Sequence, residues 1–184
     1  MADDQLERAF ASTLAVMANV DVGMLDTQTP CQSWKVRQLI NHMIAAPRVG
    51  ISALRTGEFH PDDNDYASGD FVAAYEATAK DAVAAFGEAG ALERVVKLPF
   101  GEVPGAFLRG MVTTDQFTHG WDLARATGQS TDLDPALANE LLAQAAIPEQ
   151  FRGADGSAPF GPEQTAPEGA TRADRLAAHL GRHV

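Results

Sequence analysis

Residues 108–126 read Leu108-Arg109-Gly110-Met111-Val112-Thr113-Thr114-Asp115-Gln116-Phe117-Thr118-His119-Gly120-Trp121-Asp122-Leu123-Ala124-Arg125-Ala126. Leu108, Met111, Val112, Asp115, His119, Leu123 and Ala126 recur at steps of three and four, the period of an amphipathic helix. Asp115 and His119 stand four apart inside that apolar stripe, so one helix face carries both and turns both toward the core. An uncompensated buried carboxylate costs several kcal/mol, and the usual remedies are a proton, a charged partner or a metal. A divalent cation suits an aspartate beside an imidazole.

The neighbouring segments supply the rest of a helical protein. A first helix is expected from about Asp3 to Asn19, with Leu6, Phe10, Thr13, Leu14 and Met17 on one side. Asp26–Ser33, rich in Thr, Pro and Ser, reads as a loop. A second helix starts near Ser33 or Trp34 and uses Val36, Leu39, Ile40 and Met43. Pro47 should kink it or end it nearby, because proline removes a backbone donor and crowds the preceding turn. The acidic stretch Gly57–Gly69 reads as a solvated loop. Asp70 caps a third helix through Phe71, Tyr75, Thr78, Ala82 and Phe86, which Gly87 and Gly90 stop. Val95–Leu98 can form a short extended piece ended by Pro99. A fourth helix runs from about Pro104 to Thr127 and closes with Gly128. Asp134-Pro135 opens a fifth, and Arg172–Leu180 forms a short last one. From Phe151 to Gly169 the composition turns to Gly, Pro and polar residues, an arm expected to be ordered only where Phe160 or Ile147 anchors it. Several amphipathic helices with short connections argue for an all-α antiparallel helical bundle.

At 184 residues the chain has the size of one domain, with residues 150–184 as an arm and short helix packed on it. A hydrophobic fraction of 45 % is that of a globular protein. A formal net charge of -11 with no basic cluster argues against nucleic acid or an anionic membrane as a partner. Cys31 is the only cysteine, which excludes an intrachain disulfide. No segment reads as a signal peptide or a membrane span, so the cytoplasm is the expected location and a small molecule the expected partner. Nothing in the chain distinguishes a monomer from a homodimer. A phosphate-cradling glycine loop and a nucleophile elbow are both missing from the sequence.

Beyond His119, four of the chain's five histidines remain as candidates to complete the site. His42 lies beside the Leu39, Met43 and Ala46 stripe, where a bundle would let it reach a neighbouring helix. His42, Asp115 and His119 would give two nitrogens and one oxygen, leaving coordination positions open as a catalytic metal site requires. The bland alternative is a hydrogen-bonded core histidine and an Asp–His pair without an ion. His179 and His183 form a second i, i+4 pair, but at a chain end where helix-dipole complementarity explains them. His60 sits in the acidic loop with no apolar scaffold. Asp122 either orients an imidazole or accepts from backbone donors of a nearby loop. Trp34 and Trp121 read as core aromatics or as pocket walls, and Arg125 as a surface ion pair or an anchor for an anionic substrate. Cys31 has no base near it in sequence and reads as an inert buried thiol.

Thr29-Pro30-Cys31-Gln32-Ser33-Trp34-Lys35-Val36-Arg37-Gln38-Leu39-Ile40-Asn41-His42 resembles the second-helix signature of the DinB-like superfamily, and more narrowly its actinobacterial branch related to mycothiol-dependent maleylpyruvate isomerase. Asp115 through Gly128 resembles the metal-site helix of that branch. Phe160-Gly161-Pro162 and the run from Asp174-Arg175-Leu176 to Gly181-Arg182 resemble its closing segment. The resemblance implies a DinB-like antiparallel four-helix bundle whose divalent metal is held by His42, Asp115 and His119. Relatives carry His, and the isomerase Glu, at the place of Asp115, so the shorter side chain implies altered geometry or metal preference. The isomerase has a further C-terminal domain for which this chain has no room, and maleylpyruvate isomerisation itself is therefore not expected.

The implied activity is that of a metal-dependent enzyme which brings a low-molecular-weight thiol, such as mycothiol, to a small electrophile, as an S-transferase or isomerase. Zinc, nickel, iron or manganese would suit two imidazoles and a carboxylate. The rival expectations are a non-catalytic, stress-associated metal-binding protein and a bundle reused for a metal-free biosynthetic reaction. A cavity over the ion lined by Trp34, Trp121 or Phe100 would favour the enzyme.

Overall fold

Leu6, Phe10, Thr13 and Met17 form the stripe that α1 (Gln5–Met17) buries, together with Ala9 and Val16. The structure is a computed structural model that describes residues 4–31, 33–153, 158 and 160–184. Asp3, Gln32 and residues 154–157 and 159 of the arm lie outside the described residues. Five more α-helices follow among the described residues: α2 (Val36–Thr56), α3 (Phe71–Gly87), α4 (Gly105–Ala126), α5 (Pro135–Gln144) and α6 (Arg172–His179).

The α3 and α5 boundaries follow from caps that the sequence announces. Asp70 accepts from the Ala73 N–H at 3.0 Å, and Asp134 from the Leu137 N–H at 2.9 Å, each satisfying an otherwise orphaned donor. Helix α2 begins later than expected, at Val36. Hydrogen bonds tie the chain just before it, with Gln28 bridged to Lys35 and the Lys35 N–H donating to Gln38 Oε1 at 3.0 Å. Nor does α2 end near Pro47. It continues to Thr56 and stops at Gly57, whose φ of 81° suits glycine. Pro47 is buried, so tertiary packing carries the helix through its missing hydrogen bond.

An all-α description needs one amendment among the described residues. β1 (Val95–Leu98) pairs antiparallel with β2 (Gly101–Pro104), and the hairpin feeds directly into α4 through Gly105 N–H to Arg94 C=O and Ala106 N–H to Leu92 C=O, both 2.8 Å. The extended piece was legible; its partner strand was hidden because Gly101-Glu102-Val103-Pro104 carries a weak strand signal and ends in proline. The acidic stretch 57–69 is not wholly solvated either. Asp62 is largely covered, accepting from Tyr66 Oη at 2.6 Å beside Arg48, and Asn41 Oδ1 holds the Ala67 N–H at 2.8 Å.

Helix α1 lies against α4 more extensively than any other described pair, with α2 packed on α3 and α4, and α3 on α1. Gly120 makes the α1–α4 approach possible: a Cβ there would collide with Thr13 Oγ1. Thr13 uses the closeness by donating to the Gln116 carbonyl at 2.9 Å. Because neighbours surround it, α4 is buried almost continuously from Gln116 to Ala124. Helices α5 and α6 pack on each other, and α6 also touches α4. Large buried side chains from α1 to α4, among them Met17, Leu39, Met43, Tyr75, Phe117 and Leu123, share one core.

Candidate metal centre

Asp115 and His119 occupy successive turns of α4 on one face, and α2 brings His42 across to them. His42 Nε2 lies 3.2 Å from Asp115 Oδ1, and His119 Nε2 lies 3.3 Å from the same oxygen. One donor atom from each of the three falls within 4.8 Å of the others. Donors bound at about 2.1 Å in tetrahedral array stand about 3.4 Å apart, so this spacing fits a small divalent ion. The inward orientation expected from periodicity holds for His119, whose side chain is 10 % exposed, but Asp115 and His42 form a rim at 32 % and 30 %. The donor set is therefore roofed on one side and open on the other.

Each donor is held from behind. Gln116 Nε2 donates to Asp115 Oδ2 at 3.1 Å, and the fully buried Tyr75 Oη donates to Gln116 Oε1 at 2.8 Å. That leaves Asp115 Oδ1 to the imidazoles. His119 Nδ1 stands 2.9 Å from Asp122 Oδ2. An ionised carboxylate only accepts, so a proton belongs on Nδ1; Nε2, facing the Asp115 carboxylate, donates to it and would offer a lone pair only to an ion that displaced its proton. The Trp34 ring lies 4.7 Å from the His42 ring and 5.7 Å from that of His119, covering both imidazoles. Contacts with Thr29 and Cys31 place it: the Thr29 N–H and Oγ1 both donate to the Trp34 carbonyl, at 3.1 and 2.8 Å, and the Trp34 N–H donates to Cys31 C=O at 2.8 Å.

Electrostatics tie the groups together. Burial opposes charge on Asp115, but the charges and hydrogen bonds of His119 and His42 outweigh it and hold the carboxyl well below its usual range. Burial likewise disfavours charge on His119, and Asp115, Asp122 and Cys31 overcome it and push the imidazole up. Asp122 is completely buried; Arg182 and His119 together outweigh that burial and lower its carboxyl to about 2.

Asp122 also nucleates a second cluster. Its Oδ2 accepts from Cys31 Sγ at 3.2 Å and Arg182 Nη2 at 3.1 Å, while Oδ1 accepts from Arg182 Nε at 3.3 Å. Cys31 Sγ lies 3.8 Å from His119 Nδ1. Cys31, His119 and Asp122 thus make a second possible donor set. The Arg182 guanidinium already supplies the positive charge of this second set, which argues against an ion there and in favour of the His42–Asp115–His119 set.

Other expected participants stand elsewhere. Trp121 is two residues past His119, hence across the helix. It is buried and donates from Nε1 to Asp174 at 2.8 Å, so it is a core aromatic and no wall of this site. Arg125 is exposed at the end of α4; the arginine that reaches the site is Arg182. Phe100 is exposed in the turn between β1 and β2, on the hairpin that precedes α4. His179 is used structurally, against Glu163 and the Ala145 carbonyl, and His60 is exposed beside Glu58. Cys31 is half-buried and does have an acceptor and an imidazole beside it, supplied by residues remote in sequence. Asp122 turns out to meet side chains, not backbone donors of a loop.

Two comparisons bear on this arrangement. Residues 6–124 match the model of the family described as the mycothiol maleylpyruvate isomerase N-terminal domain, a match that ends before Arg182. Over its whole length the chain is 43 % identical to two Mycobacterium tuberculosis proteins, from strains CDC 1551 / Oshkosh and ATCC 25618 / H37Rv, covering 97 % of each; both are described as uncharacterized.

Proposed function

Since the chain belongs to the mycothiol maleylpyruvate isomerase N-terminal domain family, we propose that it is a divalent-metal-dependent enzyme that brings a low-molecular-weight thiol such as mycothiol to a small electrophilic substrate, as an S-transferase or isomerase. We read α1–α4 as the DinB-like antiparallel four-helix bundle, with residues 150–184 closing onto it as part of one domain. His42, Asp115 and His119 are the residues that would hold the ion; zinc, nickel and iron all suit such a set.

The observation that carries this reading is the convergence of two imidazole Nε2 atoms on one carboxylate oxygen at 3.2 and 3.3 Å, at a partly exposed rim. A bound divalent cation lowers the pKa of a thiol from near 8.5, making thiolate available at neutral pH. The protein's own contribution is orientation. Gln116 fixes the rotation of Asp115, Asp122 fixes the tautomer of His119, and Trp34 shields the imidazoles from water on one flank. Charge balance favours an anionic ligand: Arg182 neutralises Asp122, which leaves Asp115 alone to offset a dication.

The test is metal content measured together with thiol consumption across a panel of electrophiles. Thiol consumption should require both the ion and His119. Equal rates for the loaded and the metal-stripped protein would reject the catalytic reading, and a bound ion without turnover would make this a metal-binding protein alone. No helix among the described residues is long and apolar enough to cross a membrane.

A further inference from the structure

The chain's closing turn meets the metal centre at Asp122. Helix α6 is docked on α4 by its own capping residue: Asp174 Oδ1 accepts from Trp121 Nε1 at 2.8 Å and Thr131 Oγ1 at 2.9 Å, while Asp174 Oδ2 accepts from the Thr171 N–H at 3.1 Å. The helix then ends in a Schellman turn. The Gly181 N–H donates to Ala178 C=O at 3.0 Å and the Arg182 N–H to Ala177 C=O at 2.9 Å. Gly181 has φ of 92° and lies flush on Gly161, where a Cβ would come within 2.6 Å of the Gly161 Cα. Only glycine combines that backbone with that proximity. The turn aims Arg182 inward, where its side chain is 13 % exposed and Nη1 is held by the Leu180 carbonyl at 3.1 Å.

We infer that Arg182 is a positioning residue of the metal centre, so that the segment from Thr171 to Arg182 is a working part of the site. Arg182 grips both oxygens of a carboxylate with no solvent exposure, Nε to Oδ1 and Nη2 to Oδ2. A planar two-point grip fixes rotation about the carboxylate axis, which a single contact cannot. Fixing that rotation holds Oδ2 against His119 Nδ1 and thereby holds the imidazole plane that presents Nε2. Outer partners of metal-bound histidines typically change affinity by about 10–100-fold. The inference rests on the reading that His119 Nε2 binds the ion.

The experiment measures zinc and nickel affinity of the whole protein by chromophoric competition, alongside the thermal midpoint of each metal-free variant. Arg182→Lys keeps the charge, and with it the fold, but replaces the fork by one point. We expect about a tenfold loss of affinity with a midpoint near wild type. Arg182→Ala should lose more, and in an Asp122→Asn background Arg182→Ala should have no further effect on affinity, since its route to the ion is gone. Wild-type affinity in Arg182→Lys, or an undiminished effect of Arg182→Ala without Asp122, would overturn the inference while leaving the metal site standing. A wild-type protein that binds neither ion would overturn the metal reading itself, and this inference with it.

Discussion

His119 is approached from both ring nitrogens, and the two sides differ in what they can hold. Nε2 faces His42 and Asp115, whereas Nδ1 faces Asp122 and Cys31. If the ion belongs to the first side, Cys31→Ser should leave affinity close to wild type, because a hydroxyl can donate to Asp122 as the thiol does. His42→Ala should instead weaken binding by more than the roughly 10–100-fold typical of outer-shell changes. Metal titration of both variants separates the two donor sets; the opposite ranking would move the ion to the cysteine side. At this scale the sequence was half legible. Asp115 and His119 announce themselves because they are one turn apart on one helix. Cys31 meets Asp122 across 91 residues and Arg182 across 151, so no local pattern could pair them. Arg182 carried only its place after Leu180-Gly181, a helix-end signal that fixes a turn without saying where its side chain points.

Helix α6 shows how one side chain can seat an element. Asp174 caps the helix and at the same time accepts from Trp121 and Thr131. Burial works against its charge, and the hydrogen bonds of Trp121, Thr171 and Thr131 outweigh it, holding the carboxyl below its ordinary value of 3.8. A carboxyl depressed in the folded state contributes stability above its unfolded value and loses it as pH falls through the folded one. The Asp174 contribution is therefore complete at neutral pH, starts to fade near pH 4 and disappears at lower pH. Asp174→Asn would set an amide donor against the Thr171 N–H, leaving buried donors unpaired at a cost of about 1–3 kcal/mol at pH 7. We expect urea unfolding to show that loss at neutral pH and a shallower stability decline below pH 4 than in wild type. Equal acid slopes would assign the acid sensitivity to other carboxylates. Helix α6 and its apolar face were readable from Ala173, Leu176 and Leu180, and the caps of α3 and α5 from Asp70 and Asp134. The course of α2 through Pro47 was not, because propensity favours a break there and only burial against neighbouring helices overrides it.

Over the whole molecule the metal reading predicts a coupling between ion and fold. His42 comes from α2 and Asp115 and His119 from α4, so an ion bound to all three holds only when those helices are packed as in the native state. Binding to the folded chain alone adds about 2.7 kcal/mol at a ligand concentration one hundred times Kd. In a protein of this size that corresponds to a rise in thermal midpoint of about 5–10 °C. The surface complicates the measurement, because a net charge of -11 attracts any dication diffusely and relieves self-repulsion. His119→Ala separates the contributions, since it keeps the acidic surface and removes the shared donor. Zinc or nickel should raise the wild-type midpoint by several degrees, chelation should reverse the gain, and His119→Ala should retain only the small increment that magnesium also produces. The same rise in both proteins would place the ions on the surface and not between α2 and α4.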